Sequence, residues 1–342
     1  MDVGDSNELM TIANCFLQVS GQSCREVLRI EEGLINHSYR VTDDAGEFFL
    51  MQRVNTTVFS HPQVIQQHMQ TVCDALKDHQ YPYQTLRSVQ NSEGNTIYTD
   101  AAGNCWRMMN WIPEALTYQS VHDASAARNA ATVLAHFHKA TAKIDPDALS
   151  ETIPGFTALR RRRDTLEACA TQIADARAED LLGEIRKLYP VMDTFLAVYE
   201  AAPKQVIHGD PKISNFLFDK TGNPLALIDW DTIMPGPVWY DLGDMVRSFT
   251  NAGREDDAVH NDLFNTRIFD AIHTGYSSVL PALDKNILLR AGMVVTLVQG
   301  MRFLTDHLQG NIYYRVDHPV HNLIRAENQV MLARAMSMRT GD

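Results

Sequence analysis

The chain has 342 residues, 45% of them hydrophobic and 21% charged, with a net charge of −12 at pH 7 and a pI ≈ 5.5. That length accommodates two lobes and a sizeable core, and the composition is that of an ordinary globular protein. The acidic balance argues against a dedicated binder of nucleic acid or anionic membrane, whose surface carries a basic excess. It leaves room for a phosphate ligand held by a local cluster of cations.

The N-terminus, Met1 to Glu8, is acidic and polar and lacks the basic start and apolar stretch of a secretory signal. The Asn7–Val19 stretch follows with apolar residues at helical spacing (Leu9, Ile12, Ala13, Phe16, Leu17) and predicts a first helix. Strands are expected at Val27–Ile30, Tyr39–Thr42 and Phe48–Val54, with Asp43-Asp44-Ala45-Gly46 as a hairpin turn. The turn from Gly33 to Ser38 between the first two strands is a candidate phosphate cover, with Gly33, Asn36 and Ser38 as its nucleotide-binding residues. Arg53, on the third strand, is the candidate cation for the phosphates.

A helix from Pro62 to His79 has Pro in its first turn and a stripe of Val64, Ile65, Met69, Val72, Cys73 and Leu76, which reads as core. Strand-like pieces follow at Gln84–Val89, Thr96–Thr99 and Cys105–Ile112, and Pro113 stops the last. A hinge is expected at 109–113. It separates a nucleotide-binding β-rich lobe, 1–108, from a helical lobe, 114–342. The crevice between them is where a nucleotide sits.

The second lobe reads as helix from Ser125 to Ala142, where His136 and His138 point in different directions and act as surface or core histidines. A polar helix then carries the run Arg160–Arg163, which reads as a solvated face, with contact to an anionic ligand as the alternative. Residues 178–201 are expected to be helical, as are 262–278, 281–308 and 321–338. Tyr240 to Ser248 opens a further helix with acids early, as its dipole favours. The segment Thr305–His318, rich in aromatic and hydrogen-bonding groups, has the character of a polar-metabolite surface. The longest apolar window, around Leu288 to Val298, is interrupted by Arg290 and is shorter than the roughly 20 residues a membrane span needs. Five scattered cysteines contain no Cys-x-x-Cys pair, so neither a zinc site nor a disulfide framework is indicated. The expectation is a soluble cytoplasmic protein.

The chemistry concentrates in Val206–Asp219 and Leu225–Asp231. Two apolar residues run into His208-Gly209-Asp210, a polar loop carries Lys212 and Asn215, and a strand, a turn and a second strand end in Asp229. This order can set Asp210, Asn215 and Asp229 around one point. Phosphoryl transfer needs alignment and charge neutralisation more than covalent chemistry. Asp210 is the candidate base, and Lys212 the candidate partner of the transferring phosphoryl group. Asn215, five residues past Asp210, and Asp229 are the candidate Mg²⁺ ligands. His208 is expected to hold the loop through backbone hydrogen bonds.

These residues resemble the aminoglycoside phosphotransferase and choline kinase superfamily, and within it the N-acetylhexosamine 1-kinase group. The resemblance rests on His208-Gly209-Asp210, Asn215 and Ile228-Asp229-Trp230, with looser support from Gly33 to Tyr39, Met51 to Asn55, Trp106-Arg107-Met108, Tyr240 to Asp244, Arg302 to Asp306 and His321-Asn322-Leu323. It implies an α+β, protein-kinase-like fold: an N-terminal antiparallel sheet with a helix, then a larger, mainly helical lobe. It implies Mg²⁺ and ATP, Arg53 in place of the phosphate-holding lysine, and adenine against the backbone from Met109 to Trp111. The implied reaction is phosphorylation of a hexose or N-acetylhexosamine at the anomeric hydroxyl, with Asp231, Arg302, Tyr314 and Arg325 as acceptor-site candidates. The partner is then a small molecule, and the protein a monomer or homodimer. The alternatives are an aminoglycoside or choline-type amino-alcohol kinase, and a non-catalytic nucleotide-binding regulator. Two departures stand out: a single glycine where the kinase loop has several, and no glutamate in the helix after Pro62.

Overall fold

Period-two alternation organises the first third of the chain. In the computed structural model, which describes residues 6–31, 35–171, 173, 175–253, 255–256 and 263–340, three strands run antiparallel in succession. They are β1 (Cys24–Ile30), β2 (His37–Asp43) and β3 (Phe48–Arg53). β6 (Cys105–Asn110) returns beside β3, and the short β4 (Ser88–Val89) and β5 (Tyr98–Thr99) both pair with β6. One face carries Tyr39, Val41, Met51, Trp106 and Met108. It packs against Leu9, Ile12 and Phe16 of α1 (Ser6–Leu17) as a core of its own. The alternate residues Leu50 and Met109 face the other way and join a second, larger core with α2 (Pro62–Asp78) and the helical part.

The helical part holds α3 (Ala124–Thr141), α4 (Leu159–Cys169), α5 (Ala176–Lys187), α6 (Tyr189–Ala201), α7 (Val238–Thr250), α8 (Thr266–Ser277), α9 (Lys285–Leu308) and α10 (His321–Ser337). Between α6 and α7 lie two small antiparallel pairs. β7 (Lys204–Ile207) pairs with β10 (Met234–Pro237), and β8 (Phe216–Phe218) with β9 (Pro224–Leu227). α9 is long and apolar enough to cross a membrane, but 78% of its most apolar window is buried inside the protein. It is a core helix, packed by α4, α7 and α10. α7 and α9 approach closely at Gly243, where a Cβ would stand 2.7 Å from the Ala291 carbonyl oxygen. This is the expected fold, a small antiparallel sheet followed by a larger helical body.

Several boundaries differ from expectation for local reasons. Residues 178–201 form two helices, because Pro190 has no N–H and its ring displaces the carbonyl four residues back; the break falls at Leu188, and Pro190 sits in the first turn of α6. β4 keeps only Ser88–Val89 because Gln84 instead bridges to β9, donating its N–H to the Leu225 carbonyl at 2.9 Å. α9 starts at Lys285 rather than residue 281, where Asp284 caps it by accepting from Asn286 and Ile287 N–H. The start expected for α8 at 262 lies outside the described residues, as does the Gly33 assignment.

Candidate active site

The site is made where β7 and β9 end. His208-Gly209-Asp210 leaves β7 and is tied down by one buried carboxylate on α7. Asp241 accepts from His208 N–H at 2.6 Å, from Gly209 N–H at 2.8 Å and from His138 Nε2 at 2.9 Å. His138 in turn meets the Tyr276 hydroxyl at 2.9 Å. Asp241 therefore does more than complement a helix dipole, and His138 is a core histidine with a fixed duty. Gly209 has φ +87°, and a Cβ there would lie 2.6 Å from the Thr232 carbonyl oxygen, so the turn requires glycine. His208 accepts from Asp210 N–H at Nδ1 and donates from Nε2 to the Ile228 carbonyl at 2.9 Å. Burial holds its pKa down, in keeping with the neutral tautomer those bonds require.

Asp210 Oδ2 accepts from Lys212 Nζ at 2.6 Å. Asn215 Nδ2 donates to the Asp210 carbonyl at 2.8 Å and to Oδ2 at 3.3 Å. This fixes the amide and leaves its Oδ1 as the outward acceptor. Burial acts to raise the Asp210 pKa, but Lys212, with lesser help from His208 and Arg247, outweighs it and holds the carboxylate ionised. For Lys212 burial acts downward, and the attraction of Asp210 and Asp229 carries its pKa above the usual value. The structure thus brings Asp210, Lys212, Asn215 and Asp229 together.

Asp229 follows β9 with left-handed φ 65°, ψ 63°. A non-glycine residue held there marks a constrained position. No hydrogen-bond donor or ion-pair partner is assigned to its carboxylate among the described residues. Desolvation and the nearby Asp231 push its pKa up to about 6. Its side chain is nonetheless open to solvent, so it forms the wall of a cleft rather than part of the core. A carboxylate in such a position calls for a cation.

Asp231 itself is spent elsewhere. It is 3% exposed, with Oδ1 2.6 Å from Arg107 Nη1 and Oδ2 accepting from Asn36 Nδ2 at 2.6 Å. Asn36 Oδ1 accepts from Asn55 N–H at 2.9 Å, so its side chain is committed to lobe contacts rather than to phosphates. Arg107 also donates to Gln52 Oε1 at 2.7 and 3.0 Å, and Gln52 Nε2 donates to Ser38 Oγ at 2.9 Å. Arg107, Gln52 and Ser38 thus form a connected row on the cleft-facing side of the sheet. Arg53 falls on the register of Met51, opposite His37 and Trp106, and no ion pair joins it to a carboxylate among the described residues. Strand parity turns it away from the acidic pair, and the cation on the opposite face of the sheet is Arg107. Its position within Trp106-Arg107-Met108, one polar residue between two core residues of one strand, was the signal in the sequence.

The expected adenine-contacting backbone also shifts. Met109 is paired to both Leu50 and Ser88 inside the sheet, whereas Trp111 lies past the end of β6. In place of a glutamate, α2 supplies His68, which contacts the Ile233 carbonyl at 3.1 Å and accepts from Ser150 N–H at Nε2.

The acceptor-site candidates divide. Arg302 on α9 lies 5.6 Å from the Tyr314 ring and 5.8 Å from the Phe156 ring, and donates to Gln299 at 2.9 Å. Asp306 holds the loop bearing Tyr314, accepting from Tyr313 and Tyr314 N–H at 2.7 and 3.0 Å. Arg325 is instead spent on Asp256 at 2.5 Å and the Arg315 carbonyl at 3.0 Å. Within the Arg160–Arg163 run, Arg160 pairs with Glu200 and Arg163 with Asp193, as a solvated face should, while Arg162 turns inward to the Gly155 carbonyl.

Comparison with known proteins agrees with this architecture. The structure superposes on a microcompartment-associated aminopropanol kinase with TM-score 0.67 at 16% identity, covering 98% of this chain and 99% of the other. For spectinomycin phosphotransferase, solved with ADP and spectinomycin, the TM-score is 0.62 at 13% identity, with 98% and 99% covered. For the choline kinase of Streptococcus pneumoniae it is 0.56 at 13% identity, with 96% and 99% covered. At these identities the likeness establishes the fold. Residues 26–279, well over half of the chain, match the phosphotransferase enzyme family; with the loop, the paired acids and the two-lobed body in place, the chain belongs to that family.

Proposed function

We propose that the protein transfers the γ-phosphoryl group of Mg-ATP to a hydroxyl of a sugar-like small molecule. The observation that carries this reading is the cluster itself. Asp210 stands in contact with Lys212 and Asn215 beside the unpartnered carboxylate of Asp229. The donor set fits Mg²⁺, which keeps several waters and phosphate oxygens and needs only one or two protein ligands. Asp229 and the outward Oδ1 of Asn215 would hold the ion, which supplies charge neutralisation at the phosphates. Ser38, Gln52 and Arg107 form a hydrogen-bonded row on the sheet face turned to the helical lobe, and the segment after β6, at Trp111, is where the base would lie.

Asp210 accepts the proton of the attacking hydroxyl as its oxygen bonds to the γ-phosphorus and the bond to the ADP oxygen breaks. Lys212 sits between Asp210 and Asp229 and offsets charge on the group in transit. The amino-alcohol reading draws on the aminopropanol and choline kinases among the structural neighbours. Those acceptors are cations, and the cationic, aromatic surround of Arg302 favours a sugar, with the anomeric hydroxyl the first position to test. The five free cysteines fit a reducing, cytoplasmic setting.

The test is ADP release over hexoses, N-acetylhexosamines, choline and aminoglycosides, with Asp210→Asn beside the native chain. The variant should lose about 10²- to 10⁴-fold in kcat and keep its affinity for ADP. Activity within about tenfold of native, or ADP binding without transfer to any acceptor, rejects the reading.

A further inference from the structure

Two arginines beside the acceptor side of the site have no acid to pair with. Arg302 (α9) and Arg162 (α4) converge on the same short stretch. Arg302 lies over the Phe156 ring at 5.8 Å, and Arg162 Nη2 reaches the Gly155 carbonyl at 3.4 Å. Neither makes an ion pair among the described residues, and Arg162 Nε is buried without a hydrogen-bond partner. What surrounds them is neutral: Gln299, and the rings of Tyr313 and Tyr314 at 6.0 and 5.6 Å from the Arg302 guanidinium.

The neighbouring arginines differ. Arg247 holds Asp244 at 2.7 Å and Glu255 at 2.8 Å, and Arg325 holds Asp256. Arg162 and Arg302 thus differ from Arg247 and Arg325 in having no acid beside them among the described residues. Two half-buried guanidiniums gathered on one short stretch repel, and burial together with Arg302 pulls the Arg162 pKa down. A neutral acceptor would leave both charges uncompensated when it closed over them. A cationic acceptor would add a third. An oxyanion satisfies both through paired N–H donors, the geometry for which arginine is suited. The pair lies next to the catalytic loop: the Phe156 ring is 5.4 Å from that of Tyr240, whose neighbour Asp241 accepts from His208 and Gly209 N–H.

We propose that the acceptor carries an oxyanion, a carboxylate or a phosphate, in addition to the hydroxyl that is phosphorylated, and that Arg162 and Arg302 bind it. The proposal rests on the kinase reading above and narrows its acceptor to an acidic sugar derivative.

The experiment compares matched acceptors with the full-length protein and Mg-ATP: glucuronate and glucose 6-phosphate against glucose, galacturonate against galactose, and N-acetylglucosamine 6-phosphate against N-acetylglucosamine. The uronates and the phosphate esters separate the two oxyanion sources. The expected result is a kcat/KM at least tenfold higher for one acidic member than for its neutral counterpart. Arg302→Gln and Arg162→Gln should each lower that ratio about tenfold or more, through KM for the acid. ADP affinity reports that each variant is folded; if Arg302→Gln fails that control, Arg302→Lys and Arg162→Gln carry the test. A neutral sugar turned over as well as its acid, or a preference that survives both substitutions, overturns the inference and leaves the kinase reading standing. No ADP release with any acceptor of either class overturns the kinase reading, and the inference with it.

Discussion

Asp241 stands behind the cluster and sets the position of Asp210, the proposed base. Its carboxylate faces three donors: two consecutive backbone N–H groups of the catalytic loop and His138 Nε2. Asp241→Asn would turn an amide N–H₂ toward at least one of them, leaving a buried donor unmatched at a cost of about 1–3 kcal/mol. Much of that falls on the placement of Asp210, so kcat should drop by about ten- to a hundredfold with KM for ATP little changed. Steady-state kinetics and a thermal melt of the variant check this, and an unaltered kcat would remove Asp241 from the account. The grouping of Asp210, Lys212, Asn215 and Asp229 was legible because their spacing along the chain is itself the geometry: one loop, one hairpin. The surroundings of Asp231 and Arg53 were not legible, because they depend on partners far away in sequence. Whether Asp231 faces substrate or core is decided by Arg107, and whether Arg53 faces the cleft by the parity of β3 against β6.

At the scale of elements, the β8–β9 hairpin fixes the separation of the two proposed metal ligands, since Asn215 precedes β8 and Asp229 follows β9. Its turn is built on Asp219. One carboxylate oxygen accepts from Thr221 N–H, Thr221 Oγ1 and Asn223 N–H at 2.8, 2.7 and 2.9 Å, and the other from Asn223 Nδ2 at 3.0 Å. Those bonds, the Thr221 hydroxyl first, lower the Asp219 pKa to about 2. A folded-state pKa below the unfolded value of about 3.9 contributes stability that is complete above pH 5 and fades as pH falls toward 2. Asp219→Asn should therefore be less stable than the native chain at pH 7, and the gap should narrow below pH 4. Urea midpoints at pH 7, 5 and 3.5 measure it; a gap that is absent at pH 7 or constant with pH would show that the ionised turn adds nothing. Most helices were legible, since a stripe of apolar residues at helical spacing survives any tertiary context. The break before Pro190 and the shortened β4 were not. The first needed the proline weighed against a continuous stripe, and the second depends on Gln84 finding β9 across the molecule.

For the molecule as a whole, the succession of strands and then helices made the two-lobed body legible, but not what joins the lobes over the cleft. The joint is a buried charge pair: Arg107 on the sheet and Asp231 beyond β9, with side chains 3% and 4% exposed. Gln52 supports the arginine and Asn36 the aspartate, and Asn36 is itself held by the backbone of Asn55. Such a pair is weak evidence of net stability, because desolvating both ions offsets much of their attraction. Removing one partner is another matter. Arg107→Met leaves Asp231 charged and buried without its cation, and unfolding free energy should fall by about 3–5 kcal/mol. Adding Asp231→Asn removes the stranded charge while Asn36 can still bond the new amide, so the double variant should recover a large part of that loss. Urea unfolding of the two single variants and the double one at pH 7 gives the coupling directly. Additive losses would mean that Arg107 and Asp231 act separately, and that the lobes are joined by apolar packing alone; recovery in the double variant would identify the pair as the joint that sets the sheet over the acids of the helical lobe.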